Sequence, residues 1–371
     1  MGVRPKVRPR NIAVLIGGLG FGGSERQLYL FLAHCDRQCW QPVLYVSGAL
    51  GFWEAPVRAL GVPVMQLQGD PLSKLRQFRS AVIAQGASCF FSWSSYTNGF
   101  GLALLGLDGL RIGSFRNADF SDLPKRMRGA WRWMSLRGIS LAICNSRETL
   151  AAIADNRGLR SVFVPNAVEV FPSERVEAYR QQWRSRFELD DETILVVGVG
   201  RLAPQKCFSR FIDTIARVAC EHRVQAVIAG EDRGCQSELE AQVARLKLQD
   251  TVRLVGIVSD ARELICAADI YLLTSDHEGM PNVVLEAMAA GVSCVATKVN
   301  GVRDLIEPGV TGFLASWDED ELARYVGSLG ADRDLRRAIG CRARALVERE
   351  YRPEQIMARL WALCGQRAPA H

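Results

Sequence analysis

"FPSERVEAYRQQWRSRFELDDETILVVGVG", Phe171 to Gly200, contains the break on which the fold turns. Most of it is polar, charged and helical in pattern. Then a β-rich apolar run, "TILVVGVG", ends in Gly198 and Gly200. An apolar run that enters a glycine turn and then a helical pattern is how a doubly wound nucleotide-binding sheet begins. The chain opens the same way at "NIAVLIGGLGFGGSERQLYLFLA", Asn11 to Ala33. Two such openings in 371 residues, a length that suits two domains better than one, put the domain boundary between about 168 and 190.

Outward from the break, short apolar runs alternate with helical patterns. Strands are expected at 12–17, 42–47, 62–67, 88–92, 111–115, 140–144 and 161–164 before it. After it they are expected at 193–199, 224–229, 251–255, 269–273, 292–296 and 311–315. Segments such as "SERQLYLFLAHC" and "ELEAQVARLKL" fill the gaps. This alternation predicts an α/β chain of two Rossmann-like doubly wound domains facing a cleft, with ligands outside the carboxyl ends of the strands. The expected domains are 1–168 and 169–350. An amphipathic helix in 351–371, "PEQIMARLWALC", is expected to pack back toward the first domain.

Composition narrows the function classes. No apolar run approaches the roughly 18 residues of a spanning helix. The start "MGVRPKVRPR" is basic, but the apolar run after it is short, glycine-broken and without a cleavage pattern, so it reads as a first strand and not a signal peptide. The 11 cysteines form no C-x-x-C, and Cys89, Cys144, Cys266 and Cys294 sit inside apolar runs. That fits buried thiols in a reducing compartment better than disulfides or a zinc site. The 4 histidines have no metal-ligand spacing, so no bound metal is expected. The net charge of +6 is uneven: residues 1–168 hold 20 Lys and Arg against 9 Asp and Glu, and the rest hold 26 against 31. A basic first half suits an anionic partner.

Three segments carry chemistry. In "VVGVGRLAPQKC", residues 196–207, Arg201 and Lys206 follow a strand's glycines and precede a helix. Two cations beside a helix N-terminus can clamp a diphosphate, although a solvated loop with two ordinary cations reads the same. In "TSDHEGMPNVVLEAMAAG", residues 274–291, Pro281 suits the first position of a helix that is apolar on nearly every face. Glu286 inside that helix is costly unless something satisfies it, and Glu278 lies eight residues earlier in the loop. The amides of residues 282–284 could hold a phosphate. The plainer alternative is that Glu286 pairs with an internal arginine and Glu278 caps the helix. In the opening stretch, Gly22 and Gly23 let the backbone approach a ligand, with Ser24 and Glu25 capping the helix. Gly18, Gly20 and Gly23 satisfy G-x-G-x-x-G, but a dinucleotide site also needs an acid after the second strand. That strand, "QPVLYVSG", ends in Ser47 and Gly48, which disfavours an NAD(P)-dependent oxidoreductase.

Together "GGSER", "PNAV", "GRLAPQK", "EGMPNVVLEAMAAG" and "NGVRDLIEPGVTGFL" resemble the signature segments of retaining glycosyltransferases with two Rossmann-like domains, the GT4 family with the GT-B fold. Their order and spacing match over roughly residues 11 to 350, the segment with two glutamates being the most specific. The resemblance implies that Arg201 and Lys206 neutralise the diphosphate of a UDP- or GDP-sugar. It implies that Glu278, with the amides around Gly279 and Met280, holds the donor sugar, and that Glu286 binds the ribose hydroxyls. Pro281, Asn282 and Val283 open the helix beside the donor. Gly22 and Gly23 would lie against the diphosphate from the opposite domain, and Gly230 and Glu231 would line the nucleotide pocket. Two departures stand out. Where the family often has His, this chain has "IGSFRNADF", so Arg116 or Asn117 takes that place. Where the family commonly has Gly after the lysine, it has Cys207.

"PKRMRGAWRWMSLRG", residues 124–138, interleaves Lys125, Arg126, Arg128, Arg132 and Arg137 with Trp131 and Trp133. The segment suits an anionic membrane surface, a single-stranded nucleic acid, or a helix with its tryptophans in the core. No RNA-binding motif accompanies it, and the family resemblance favours membrane. The sequence thus predicts a cytoplasmic, peripherally membrane-associated, metal-independent retaining hexosyltransferase without a bound cofactor. Its acceptor would be lipid-linked or a glycan, in bacterial surface polysaccharide biosynthesis: lipopolysaccharide, capsule or exopolysaccharide. A transferase-like protein that binds without catalysis is the third alternative.

Overall fold

The computed structural model describes residues 9–116, 120, 123–124, 126–154, 156 and 158–366. The chain forms two compact units: residues 1–167 with 353–371, and residues 168–352. The first contains the strands β1 (Arg10–Ile16), β2 (Trp40–Val46), β3 (Val64–Gln66), β4 (Cys89–Ser92), β5 (Leu110–Phe115), β6 (Leu141–Cys144) and β7 (Arg160–Phe163). The second contains β8 (Ile194–Val199), β9 (Val224–Ala229), β10 (Val252–Gly256), β11 (Ile270–Leu273), β12 (Ser293–Thr297) and β13 (Phe313–Ala315). Every expected strand is present, displaced by a residue or two at its ends.

The strand orders are 3-2-1-4-5-6-7 and 10-9-8-11-12-13, and every pairing is parallel. Each unit is therefore doubly wound, and the order reverses beside its first strand. Both faces of each sheet are covered, so the strands are apolar throughout. Along β1, Ile12, Val14 and Ile16 join the core on one face, while Ala13 and Leu15 join Tyr45, Phe78 and Val82 on the other.

The first face of that sheet is covered by helix Gly23–Ala33 and by the last helix, Pro353–Cys364. Trp361 stacks on Phe31 with ring centroids 4.1 Å apart, and its Nε1 donates to the Phe31 carbonyl at 3.0 Å. An aromatic pair with its polar handle satisfied buries apolar area without an orphaned donor.

The charged segment that marks the break is not a linker. It forms helix Ser173–Arg186 and belongs to the second unit. Asp269, at the entrance to β11, receives Arg180 Nη2 at 2.7 Å, Arg184 Nη1 at 3.0 Å and the Leu195 amide at 2.8 Å. The boundary therefore lies at the start of the charged stretch, because its arginines are needed inside the second unit.

Candidate functional site

In an open parallel sheet, the loops after the strands that flank the order reversal diverge and leave a crevice at their carboxyl ends. In the second unit those strands are β8 and β11, paired through Ile270↔Val196 and Tyr271↔Val197. The loop after β8 carries Arg201 and Lys206, and the loop after β11 carries Glu278 to Pro281. The two loops are tied together. Gln205 Nε2 donates to the His277 carbonyl at 2.8 Å, the Asp276 amide to the Gln205 carbonyl at 2.9 Å, and Thr274 Oγ1 to the Lys206 carbonyl at 3.1 Å.

At their junction Lys206 Nζ lies 2.5 Å from Glu278 Oε1, and both side chains are largely buried, at 14% and 11% exposure. Ser275 Oγ donates to the same carboxylate oxygen at 2.8 Å. Glu278 therefore does not cap the following helix; it fixes the lysine. The Lys206 stem lies over Gly200, where a Cβ would come within 3.0 Å of Cε. Arg201 is exposed and has no ion-pair partner among the described residues. One cation is thus fixed and one is available.

The loop after β9 joins them. Gly230 has φ 159°, and a Cβ there would meet the Gly200 carbonyl oxygen at 1.7 Å. Leu202 N donates to the Glu231 carbonyl at 2.8 Å, and the Glu231 side chain pairs with Arg233 at 2.8 Å near the surface. Gly230 and Glu231 are therefore brought beside Arg201 by backbone contacts.

Helix Asn282–Ala289 begins one residue later than expected: Pro281 is its N-cap, with no side-chain capping bond. The Pro281 carbonyl receives the amides of Val284 at 3.2 Å and Leu285 at 3.5 Å, so the fixed proline φ starts the turn from just outside it. Met280 and Pro281 are buried, and Asn282 and Val283 are half-buried. Glu286 is 9% exposed on this helix. Arg262 lies within its field. Burial acts against the guanidinium's charge, but Asp260, Glu169 and Glu286 together raise its proton affinity above the ordinary value. Arg262 is bonded to Asp260 at 2.6 Å and to Glu169 at 2.8 Å.

Sequence reading missed Gly301. A Cβ there would fall 1.7 Å from the Gly279 carbonyl oxygen and 2.6 Å from Met280 Cα, so only glycine lets this segment support the Gly279–Met280 backbone. "NGV" in the sequence was the available signal. Among the described residues no group of three or more His, Cys, Asp or Glu is arranged to hold a metal ion.

In the first unit, Gly22 is the N-cap of helix Gly23–Ala33, with extended backbone and no side-chain cap. Ser24 therefore does not cap the helix as expected. It lies inside the first turn, and its carbonyl accepts from Trp93 Nε1 at 2.9 Å. The Glu25 carboxyl folds back over Gly22, 2.5 Å from where a Cβ would sit. Arg116, at the end of β5, donates to the Trp93 carbonyl at 3.3 Å and to Asn166 Oδ1 at 3.2 Å, and stacks over the Trp93 ring at 4.9 Å. Asn117 lies outside the described residues, as does Lys125.

The basic segment forms helix Arg128–Arg137, in which only Ser135 is buried. Arg126, Arg128, Arg132 and Arg137 are exposed, with Met127 and Trp133 exposed at 69% and 58%. Trp131 stacks on Tyr96 at 5.0 Å. One tryptophan packs and the other does not. No described helix is long and apolar enough to cross a membrane.

Residues 193–332 match the sequence profile of the family described as Glycosyl transferases group 1. The chain is similar to N-acetyl-alpha-D-glucosaminyl L-malate synthase of Bacillus anthracis, 27% identical over 57% of this chain and 54% of that protein. It is also similar to the lipopolysaccharide core biosynthesis glycosyltransferase LpsE of Rhizobium meliloti, 24% identical over 66% of this chain and 68% of that one. It spans about half the length of the first of these. The solved structure of Anabaena Alr3699/HepE in complex with UDP and glucose superposes with a TM-score of 0.83 at 22% identity, covering 96% of this chain and 99% of that one. This likeness shows the fold.

Proposed function

We propose that this chain, whose residues 193–332 match the glycosyl transferases group 1 family, transfers a hexose from a UDP- or GDP-sugar to a lipid-linked or glycan acceptor, with retention at the sugar carbon. The observation that carries this reading is the buried Lys206–Glu278 pair, held between the β8 and β11 loops with the exposed Arg201 beside it. The UDP bound by the Anabaena neighbour supports the donor class. The lipopolysaccharide role named for the Rhizobium relative supports surface polysaccharide as the pathway.

Departure of a nucleoside diphosphate builds negative charge on the leaving oxygens. Arg201 and Lys206 would meet that charge, and fixed cations favour the transition state over the ground state. Glu278 holds Lys206 in place and would accept from a donor-sugar hydroxyl through its other oxygen. The backbone of Gly279 and Met280 and the start of helix Asn282–Ala289 would face the donor, while Glu286 would accept from the ribose hydroxyls. Gly230 and Glu231 would border the base. As the glycosidic C–O bond breaks, the leaving diphosphate oxygen takes the acceptor hydroxyl's proton and the acceptor oxygen bonds to the anomeric carbon on the same face. No protein nucleophile, cofactor or divalent ion enters this scheme.

A panel of nucleotide-sugars tested for slow release of nucleoside diphosphate checks the reading. One UDP- or GDP-sugar is expected to turn over, and Lys206→Ala and Glu286→Ala are each expected to abolish most of that release while leaving the fold intact. Full activity in either variant, or no release from any donor, rejects it. Peripheral binding at the cytoplasmic membrane face is proposed to use Arg126, Arg128 and Arg132 with Met127 and Trp133. Replacing the three arginines with serine is expected to lower retention on anionic liposomes, and unchanged retention would leave helix Arg128–Arg137 as an ordinary solvated face.

A further inference from the structure

A second opening lies in the first unit at the amino ends of β4 and β5, the edge of the sheet opposite the one where ligands of such sheets bind. Its volume is about 380 Å³, within the range of small-molecule pockets. Val82, Phe90, Leu104 and Leu107 give it an apolar wall, and Ile83, 53% exposed, stands at its margin. Arg111, the second residue of β5, lines it too. Arg111 Nε is buried with no hydrogen-bond partner, and the guanidinium has no carboxylate within ion-pair distance among the described residues. Arg111 is half-buried, and a guanidinium whose Nε is desolvated without a partner favours an anion beside it. The other charge on the lining is Asp108, which is exposed.

We infer that this pocket binds an aliphatic monocarboxylate, with its head on the Arg111 guanidinium and its chain along Phe90, Leu104 and Leu107. A carboxylate matches the planar guanidinium through two parallel hydrogen bonds. Asp108 at the margin opposes a second negative charge, which selects a monoanion over a phosphate monoester. The apolar wall supplies the affinity that an exposed ion pair lacks. This site is independent of the glycosyl-transfer reading.

The strand does not need the Arg111 side chain. Its backbone is held by Ser140 Oγ, which accepts from the Arg111 amide and donates to the Arg111 carbonyl, each at 3.2 Å. Calorimetric titration with sodium decanoate below its micelle concentration tests the inference on the full chain. Saturable binding is expected with the native protein, weakened about tenfold or more in Arg111→Gln, as loss of a charged hydrogen-bond partner predicts. Leu107→Trp, which keeps the cation and fills the cavity, is expected to weaken it as well, and 1-decanol is expected to bind far less well than decanoate. Asp108→Asn is expected to tighten decanoate and to admit decyl phosphate. Absent binding in the native protein, equal affinity in Arg111→Gln, unchanged affinity in Leu107→Trp, or equal affinity for decanol overturns the inference.

Discussion

Cys207 has φ 48° and ψ 48° between the turn that carries Lys206 and helix Phe208–Val218. A residue with a Cβ is strained there by roughly 1–2 kcal/mol, and glycine is not. Cys207→Gly is therefore expected to stabilise the second unit by about 1 kcal/mol, less whatever the freer unfolded chain returns, read as a higher melting temperature. Burial pushes the Cys207 thiol up to about 11, with Asp276 adding to it, so the thiol is expected to resist alkylation at pH 8 while Cys220 and Cys341, which are exposed, react. The candidate side chains were legible from two cations five apart and two carboxylates eight apart read together with the family resemblance, since the spacing alone also fits an ordinary loop. Their pairing was not. That Lys206 meets Glu278 depends on two loops from strands far apart in sequence but adjacent in the sheet. What Gly301 supports was illegible for a related reason, since the backbone it admits is that of a different loop.

The same contrast holds for whole elements. Helix Ser173–Arg186 read from sequence as a polar, charged helix at the domain break, with nothing to show what its arginines meet. Two of them meet Asp269, whose burial alone would raise its carboxyl. Arg180, the Leu195 amide and Arg184 more than offset this and hold it below the usual aspartate range. A group with a depressed folded-state pKa stabilises above its unfolded value and loses that contribution as pH falls through the folded one. Asp269→Asn is expected to cost about 3–5 kcal/mol at pH 7, since it leaves buried guanidinium groups unmatched. The gap between the two proteins should hold down to pH about 4 and close below it. Denaturant melts at stepped pH check this; a gap that does not change with pH would show that packing, not charge, anchors the helix. On helix Pro353–Cys364, Trp361→Ala is expected to cost about 3–5 kcal/mol in the first unit through the lost stack on Phe31, measured the same way.

Across the whole molecule, the strands and their alternation with helices were readable because parallel strands buried on both faces are nearly all apolar. Which strands neighbour which was not readable from any residue; the alternation predicts parallel, doubly wound sheets and no particular order. That Pro353–Cys364 packs back toward the first unit was expected from its amphipathic face, but which residues it covers was not readable. Ending the chain after Arg352 is expected to leave the second unit's calorimetric transition in place and to abolish or strongly lower the first unit's, because Phe31 and Trp40 lose their cover.

That arrangement has a temporal consequence. The second unit is, in effect, an insertion into the first, whose two pieces are residues 1–167 and 353–371. On the ribosome, the unit that begins first can finish only last. Its seven-stranded sheet must wait, with one apolar face open, while residues 168–352 are made. The middle of the chain can reach its final form before the beginning does. Chaperone capture of nascent chains should therefore peak on lengths that already contain β7 but not yet Trp361.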